Sequence, residues 1–299
     1  MSKKKNPNQI KMSKEELTYQ IFIAIVVAIF VVLCIFPFIY VIGMSFTSYG
    51  EMLEKNYFVI IPEKPILTAY KQLFSNQDFF TGLRITICRT CIGVCTALIL
   101  TIPVGYITAQ KDLPFKNIIM VFFIITMVLG GGTIPQYLLY RDLGRLNTFW
   151  VYIAPSFSNT YGILVVKMFV LGIPEDLMES ADLDGATEIQ KMIHIAIPLL
   201  KPTILALGMF AAVAHWYAWM DAMIYVKDNA IYPLQFVIRN MLNTTATADL
   251  TSNISTFAKM TPESLKMASV IMAVLPILCV YPFIQKYFVA GMYTGAVKG

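Results

Sequence analysis

Cysteine and histidine are the residue types through which this chain could do metal or nucleophilic chemistry. Cys88, Cys91 and Cys95 follow a C-x2-C-x3-C spacing, which places three thiols on one face of a helix. They lie in an apolar stretch without a histidine nearby, so we interpret them as small packing residues of a membrane helix. The only two histidines, His194 and His215, form no H-E-x-x-H motif. We therefore predict no catalytic site and no metal site, and the chain is not expected to be an enzyme.

Nucleotide chemistry is not expected in this chain either. The phosphate-binding pattern G-x-x-x-x-G-K-[ST] occurs nowhere in the sequence, so any ATP and Mg would have to be bound by another subunit. The net charge of +5 is small, and its densest group of lysines lies in residues 3–14, directly before an apolar segment. That position suits a membrane flank and not a nucleic-acid site.

Membrane helices are the elements that must position the polar residues. Hydrophobic residues make up 57% of the chain and charged residues 14%, and the mean hydropathy is +0.66, which leaves too little polar surface for a soluble globule. A bilayer core of about 30 Å requires roughly 20 helical residues. Uncharged runs of this length occupy 21–44, 90–110, 117–140, 146–166, 202–220 and 267–285. We predict an all-α membrane protein with about six transmembrane helices.

The charge pattern also predicts an orientation. With an even number of spans both termini lie on one side, and the lysines before residue 21 favour the cytoplasm. We expect residues 1–20 to form a cytoplasmic tail and residues 21–299 to form one multi-pass domain in the cell membrane. The long outward segments 45–89 and 221–266 suit either folded caps that receive a partner protein or ordinary loops.

The connector 172–200, between the fourth and fifth runs, has the most informative pattern. Pro174 suits the first position of a helix, and the acidic residues after it complement the positive end of the helix dipole. We predict a helix to about Leu183, a left-handed turn at Gly185, and a second helix from about Thr187 that is interrupted near Pro198, where the chain re-enters the membrane. Such an acidic, partly apolar element suits a docking plug for a soluble partner or a solvated connector, and the physical argument leaves both open.

The same connector resembles the EAA motif of permease subunits in bacterial ATP-binding-cassette importers, E-A-A-x-x-D-G-A followed by I-x-L-P. The residues that carry the resemblance are Glu179, Ser180, Ala181, Asp184, Gly185, Ala186, Ile195 and Pro198. Ser180 replaces the first alanine of the motif, and Ile197 replaces its leucine. The stretches G-G-T-I-P-Q-Y-L-L-Y-R-D-L-G-R-L-N-T at 131–148 and Y-P-F-I-Q-K-Y-F-V-A-G-M-Y-T-G-A-V-K-G at 281–299 resemble the carbohydrate-uptake branch of these permeases.

The resemblance implies a type I importer permease fold, with residues 174–186 as a coupling helix that docks on an ATPase. It implies two ATPase subunits that bind ATP and Mg, a second homologous permease, and an extracellular lipid-anchored sugar-binding protein. The implied substrate is a sugar, an oligosaccharide or a glycan fragment, that crosses the membrane by alternating access.

Contacts to such a sugar are expected near the end of the fifth run. Aromatic faces and hydrogen-bonding groups occur together there, in His215, Trp216, Tyr217, Trp219 and Asp221. Tryptophan and tyrosine also collect at membrane interfaces as anchors, so both interpretations stay open. The main rival class is a secondary transporter driven by an ion gradient, which predicts paired ionisable residues inside the spans, and the six runs contain none.

Overall fold

Helices form the secondary structure of the computed structural model, which describes residues 14–248 and 262–296. Within these ranges no strand occurs, so the all-α prediction is confirmed. The described residues fall into two compact units, one of residues 14–71 and 262–271 and one of residues 72–248 and 272–296. Residues 1–13 of the predicted cytoplasmic tail, with the lysines of residues 3–11, lie outside the described residues, and so do residues 297–299 of the 281–299 stretch.

The first unit is built around a long apolar helix. Helix α1 (Lys14–Ser45) begins before residue 21, so residues 14–20 of the expected tail are helical. Its apolar side chains from Leu17 to Ile39 are almost all exposed. A helix that is apolar all round and unburied suits a lipid environment or a partner helix. Helices α2 (Tyr49–Glu54) and α3 (Thr68–Ser75) follow.

A small core of its own holds the chain after α1. Met44, Met52 and Val59 are buried together. Gly43 permits this packing, because a Cβ at that position would lie 2.1 Å from the carbonyl oxygen of Ile60. Part of the predicted outward segment 45–89 is therefore folded against the end of α1, whereas its residues from Gln77 onward belong to helix α4.

The second unit contains most of the remaining helices. Helix α4 (Gln77–Ala109) is the longest helix that lies wholly within it, and it packs against three later helices of the unit. The later helices of the chain are α5 (Lys116–Val128), α6 (Thr133–Asp142), α7 (Thr160–Leu171), α8 (Glu175–Leu183), α9 (Glu188–Lys191), α10 (Ile197–Leu199), α11 (Lys201–Tyr217), α12 (Met220–Tyr225), α13 (Leu234–Ala248) and α14 (Pro262–Ala296), the last of which has residues in both units.

Two helices in the described ranges, Glu15–Ser45 and Gln77–Ala109, are long and apolar enough to cross a membrane, and two bent helix pairs would raise this number to four. The pair α5 and α6 bends by 109°. The prediction of one helix across 117–140 is therefore wrong. The break falls at three consecutive glycines, of which Gly132 has a φ of 80°, and glycine is a poor helix former.

The fourth run also departs from a single helix. Residues Phe149–Tyr152 and Ala154–Phe157 form two 3-10 turns, and α7 begins only at Thr160. Pro155 removes a backbone donor from this region. Asn159 then caps α7, because its side-chain oxygen accepts a hydrogen bond from the Gly162 amide at 3.0 Å. The single helix expected over 146–166 is thus wrong, whereas α11 and α14 occupy most of the fifth run and the whole of the sixth.

Close contact between α4 and α7 depends on Gly105, and this generates a first prediction. A Cβ at Gly105 would lie 2.6 Å from the Val166 side chain. We expect Gly105→Leu to destabilise the protein by about 1–3 kcal/mol through overpacking. Gly130→Leu is the control, because nothing lies within 4 Å of a Cβ at Gly130. Thermal unfolding in detergent measures the stability of both variants. Equal unfolding midpoints of Gly105→Leu and Gly130→Leu would contradict a tight contact between α4 and α7.

Candidate functional site

The acidic connector, residues 172–200, begins with the predicted helix. Helix α8 has Pro174 as its N-cap, one position earlier than expected. Its end is a hydrogen-bonded left-handed turn, since Gly185 has a φ of 76° and its amide donates to the Asp182 carbonyl at 3.0 Å. The Ala186 amide donates to the Ala181 carbonyl at 2.9 Å, which completes a Schellman motif. The predicted end of the helix at Leu183 and the left-handed Gly185 are confirmed.

The second helix of the connector starts with a capping box. The Thr187 hydroxyl accepts from the Gln190 amide, and the Gln190 side chain accepts from the Thr187 amide at 2.8 Å. Residues Met192–Ala196 continue as π-helix. The helix that contains Pro198 ends at Leu199, so the predicted interruption near Pro198 is confirmed. The chain turns by 80° at Leu200, just before α11.

The residues of the motif divide by exposure. Those that point to solvent are Glu179, Ser180, Asp184, Gly185 and Pro198. Those that are half-buried are Ala181, Ala186 and Ile195. The polar residues of the motif are therefore exposed, and its half-buried residues are all apolar.

Lys191 joins the two helices of the acidic connector. Its side chain is only 7% exposed, and its ammonium group lies 2.6 Å from Asp182 Oδ1 and 2.5 Å from Glu188 Oε1. The Tyr106 hydroxyl of α4 donates to Glu188 Oε2 at 2.9 Å. The hydrogen bonds to Asp182 and Glu188 hold the pKa of Lys191 above its usual range. This network fixes α8 relative to α9 and both relative to α4.

An apolar cluster lies beneath the network. Its buried members come from α4, α7 and the second half of the connector with α11: Tyr106, Ala109, Val166, Val170, Ala196, Leu200 and Leu207. Met178 of α8 packs against this cluster. Leu177 and Leu183 of α8 are instead 48% and 91% exposed. Helix α8 thus has one half-buried side, with Met178 and Ala181, and presents acidic and apolar side chains on the other, as a docking surface would.

A second polar site, the polar cavity, lies elsewhere in the same unit. It has a volume of about 400 Å³, within the usual range for small-ligand sites. Its polar lining comes from Arg89, Tyr152, Ser156, Ser158, Asn159, Tyr161, His215 and Asp221, and its apolar lining from Ala97, Pro155, Leu207, Phe210, Ala211, Ala214 and Ala218.

Arg89 is the central charge of this cavity. Its guanidinium forms a two-point ion pair with Asp221, and Nη1 also donates to the Ala218 carbonyl at 3.3 Å. The carbon of the guanidinium lies 4.4 Å from the centre of the Tyr152 ring. The Arg89 side chain is 2% exposed and that of Asp221 is 18% exposed. A buried cation of this kind requires such a partner.

Two of the five expected sugar-contact residues, His215 and Asp221, line the polar cavity. His215 Nε2 is hydrogen-bonded to the Ser156 hydroxyl at 2.8 Å. Trp216 is buried and its indole N–H donates to the Ala273 carbonyl, while Trp219 lies under the Arg239 guanidinium at 3.8 Å. Neither tryptophan lines the cavity, and Tyr217 does not line it either.

The sequence analysis did not identify the roles of two cations, Arg89 and Lys191. Arg89 directly precedes the uncharged run 90–110, and Asp221 directly follows the run 202–220. Opposite charges, one at the start of the second run and one at the end of the fifth, were the available signal for an ion pair. Lys191 lies three residues after Glu188, a spacing that places both side chains on one helix face, but nothing local identified Asp182 as the second partner.

Comparison with known families decides the assignment. Residues 89–293 match the family described as binding-protein-dependent transport system inner membrane component. The chain belongs to this family. This inner membrane component has the type I permease fold that its connector motif implied, and the helices suited to a membrane agree with that fold.

Bacillus subtilis proteins are among the relatives of this inner membrane component. Protein LplC is 37% identical over 268 residues, which is 89% of this chain and 90% of LplC. The polygalacturonan/rhamnogalacturonan transport system permease protein YtcP is 33% identical over 273 residues, which is 90% of this chain and 94% of YtcP.

A solved structure is also similar over nearly the whole length. It is the crystal structure of a bacterial ABC transporter involved in the import of the acidic polysaccharide alginate. The likeness has a TM-score of 0.81 at 26% identity and covers 94% of this chain and 100% of the other.

The Lys191 network generates a second prediction. Lys191→Met removes a cation that two carboxylates share, so we expect the connector to lose about 1–3 kcal/mol of local stability. Lys111→Met is the matched control, because Lys111 is 74% exposed and pairs only with the exposed Glu175, and an exposed pair is worth about 0–1 kcal/mol. Backbone hydrogen exchange of residues 175–191 measures both.

The pH dependence of that stability follows from the raised pKa. Because the folded pKa lies above the usual value of 10.5, the contribution of the Lys191 ammonium is complete below pH 10.5 and is lost only as the pH rises through the folded pKa. Exchange protection should therefore not weaken between neutral pH and 10.5. Equal protection of the two variants would contradict the network's role.

Proposed function

We propose that this chain is a permease subunit of an ATP-driven importer that carries an oligosaccharide or glycan fragment across the cytoplasmic membrane. The observation that carries the proposal is the acidic connector, in which the exposed motif residues Glu179 and Ser180 lie on helix α8, and α8 is attached to the unit through Lys191 and Met178. Membership of a binding-protein-dependent transport family supports it. The names of YtcP and of the alginate transporter support a glycan as the substrate.

Helix α8 would dock on the energy-supplying subunit. It carries Glu175, Asp176, Glu179 and Asp182 but no cation, so a groove with basic residues and an apolar floor for Leu177 and Leu183 is its complement. Two ATPase subunits would bind ATP and Mg. The pore would be completed by a second homologous permease, and an extracellular lipid-anchored binding protein would deliver the sugar.

Helix α4 would connect docking to translocation. Tyr106 touches the acidic connector and Arg89 lines the polar cavity, and these residues lie about 25 Å apart along one helix. Closure of the ATPases on ATP would move α8, and α4 would carry that movement to the cavity as part of an alternating-access transition. His215 and Asp221 would then lie on the sugar's path.

The orientation follows from the same proposal. A docking helix must face the compartment that holds ATP, so α8 faces the cytoplasm. Both termini then lie in the cytoplasm as well, in agreement with the lysines of residues 3–14.

An ion-gradient transporter is the alternative, and the buried Arg89–Asp221 pair is the feature that such a protein would use. The likeness to an ABC transporter favours ATP as the energy source. Purification in mild detergent distinguishes the two. We expect mass spectrometry to find an ABC ATPase and a second permease with this chain. A chain that purifies alone, with uptake that stops when the ion gradient is removed, would contradict the proposal.

The docking role generates a further prediction. Gly185→Pro imposes a negative φ where the turn needs 76°, and Glu179→Arg reverses a charge on the proposed docking face. We expect both variants to insert normally and to lose most sugar uptake, because ATP hydrolysis is no longer coupled to transport. Asp112→Arg is the control, since this exposed residue lies in the connector between α4 and α5, outside α8. Normal uptake by both α8 variants would exclude α8 as the coupling helix.

A further inference from the structure

The charges that line the polar cavity sum to zero. Among the residues that line it in the described part of the chain, only Arg89 and Asp221 carry a full charge, one of each sign. The two form a direct ion pair. A sugar that enters this cavity therefore meets no net charge, although both charged groups are there to form hydrogen bonds.

The pair still has hydrogen-bonding capacity. Asp221 occupies the two terminal nitrogens of the guanidinium, whereas Arg89 Nε is buried and has no acceptor. The Asp221 carboxylate remains partly exposed, and only one further donor, the Ala222 amide at 2.8 Å, is directed at it. The site thus presents a partly exposed acceptor, the Asp221 carboxylate, whose spare lone pairs a sugar hydroxyl group can fill as a donor, beside a guanidinium whose remaining donor is buried.

We propose that the Arg89–Asp221 pair is a saccharide subsite that binds sugar hydroxyl groups and does not recruit a sugar carboxylate. This inference rests on the proposed function and specifies which part of the substrate this chain recognises. A carboxylate only accepts hydrogen bonds, and it would bring an uncompensated negative charge into a neutral site beside the partly buried Asp221 carboxylate. A hydroxyl group donates to Asp221 without that cost.

The remaining lining suits the apolar face of a sugar ring. Phe210, Ala211 and Ala214 come from α11 and line the cavity with Leu207. Aromatic and small apolar side chains accept the C–H face of a pyranose, while a few polar groups fix its orientation. The transporters of acidic glycans that resemble this chain must also place carboxylates.

A charge series in the complete transporter tests the subsite. The two probes are trigalacturonate and the neutral trisaccharide in which each carboxylate is reduced to a hydroxymethyl group. Asp221→Asn gives the cavity a charge of +1, Arg89→Gln gives −1, and the double variant gives zero. The readout is the ratio of initial uptake rates, uronate over neutral sugar, in vesicles that contain both permeases, the ATPases and the binding protein.

We expect Asp221→Asn to raise this ratio about tenfold and Arg89→Gln to lower it about tenfold, as one unit charge in a partly buried site requires. The double variant and Asp142→Asn, an exposed carboxylate outside the cavity, should keep the wild-type ratio. A ratio that is the same in all variants overturns the inference, and so does an Arg89→Gln variant that retains the ratio while losing uronate and neutral uptake equally.

Asn159→Asp tests the subsite even if variants that break the Arg89–Asp221 ion pair prevent assembly of the transporter. Asn159 lines the cavity and caps α7 through its side-chain oxygen, and aspartate caps equally well. The variant adds one negative charge while the Arg89–Asp221 pair stays intact, so the ratio should fall. An unchanged ratio contradicts the subsite. Absence of an ATPase from the purified complex contradicts the proposed function instead, which keeps the two failures distinct.

Discussion

Close backbone contact along α4 is the constraint on which the second unit depends. A Cβ at Gly82 would press on Leu234 of α13, one at Gly93 on the His215 ring of α11, and one at Gly105 on Val166 of α7. Helices in lipid gain little from the hydrophobic effect, so small residues that allow close approach supply much of the packing energy. Both the polar cavity and the acidic connector are built on surfaces that this contact creates.

Two buried cations, Arg89 on α4 and Lys191 beside it, have carboxylate partners that differ in exposure. Lys191 is buried, but its partners Asp182 and Glu188 are more than half exposed, so water shares in stabilising the network. Arg89 and its partner Asp221 are both largely removed from solvent. Separation of the second pair therefore costs more than separation of the first. The Lys191 network attaches the connector to α4, whereas the Arg89 pair lies in the wall of the polar cavity.

Prediction from the sequence succeeded where local chemistry decides the structure. Gly185, the capping residue Thr187 and the extent of α8 follow from turn and capping rules that act within a few residues. It failed where a run of apolar residues was taken as a straight helix, because hydropathy does not distinguish a helix from the two 3-10 turns around Pro155. Contacts between residues far apart in the chain, such as Arg89 with Asp221, carry no local signal beyond a charge at the end of each run.

One irregular stretch of backbone lies along the chain between the two sites. Residues Met192–Ala196 are π-helical and the chain turns by 80° at Leu200, yet Ala196 and Leu200 are buried in the cluster that contains Tyr106. The packed core thus accommodates both the bend and the π-helix, a feature that is often found at functional sites. The connector is held at α8 by the ion pair of Lys191 with Asp182, and beyond the bend α11 supplies part of the wall of the polar cavity.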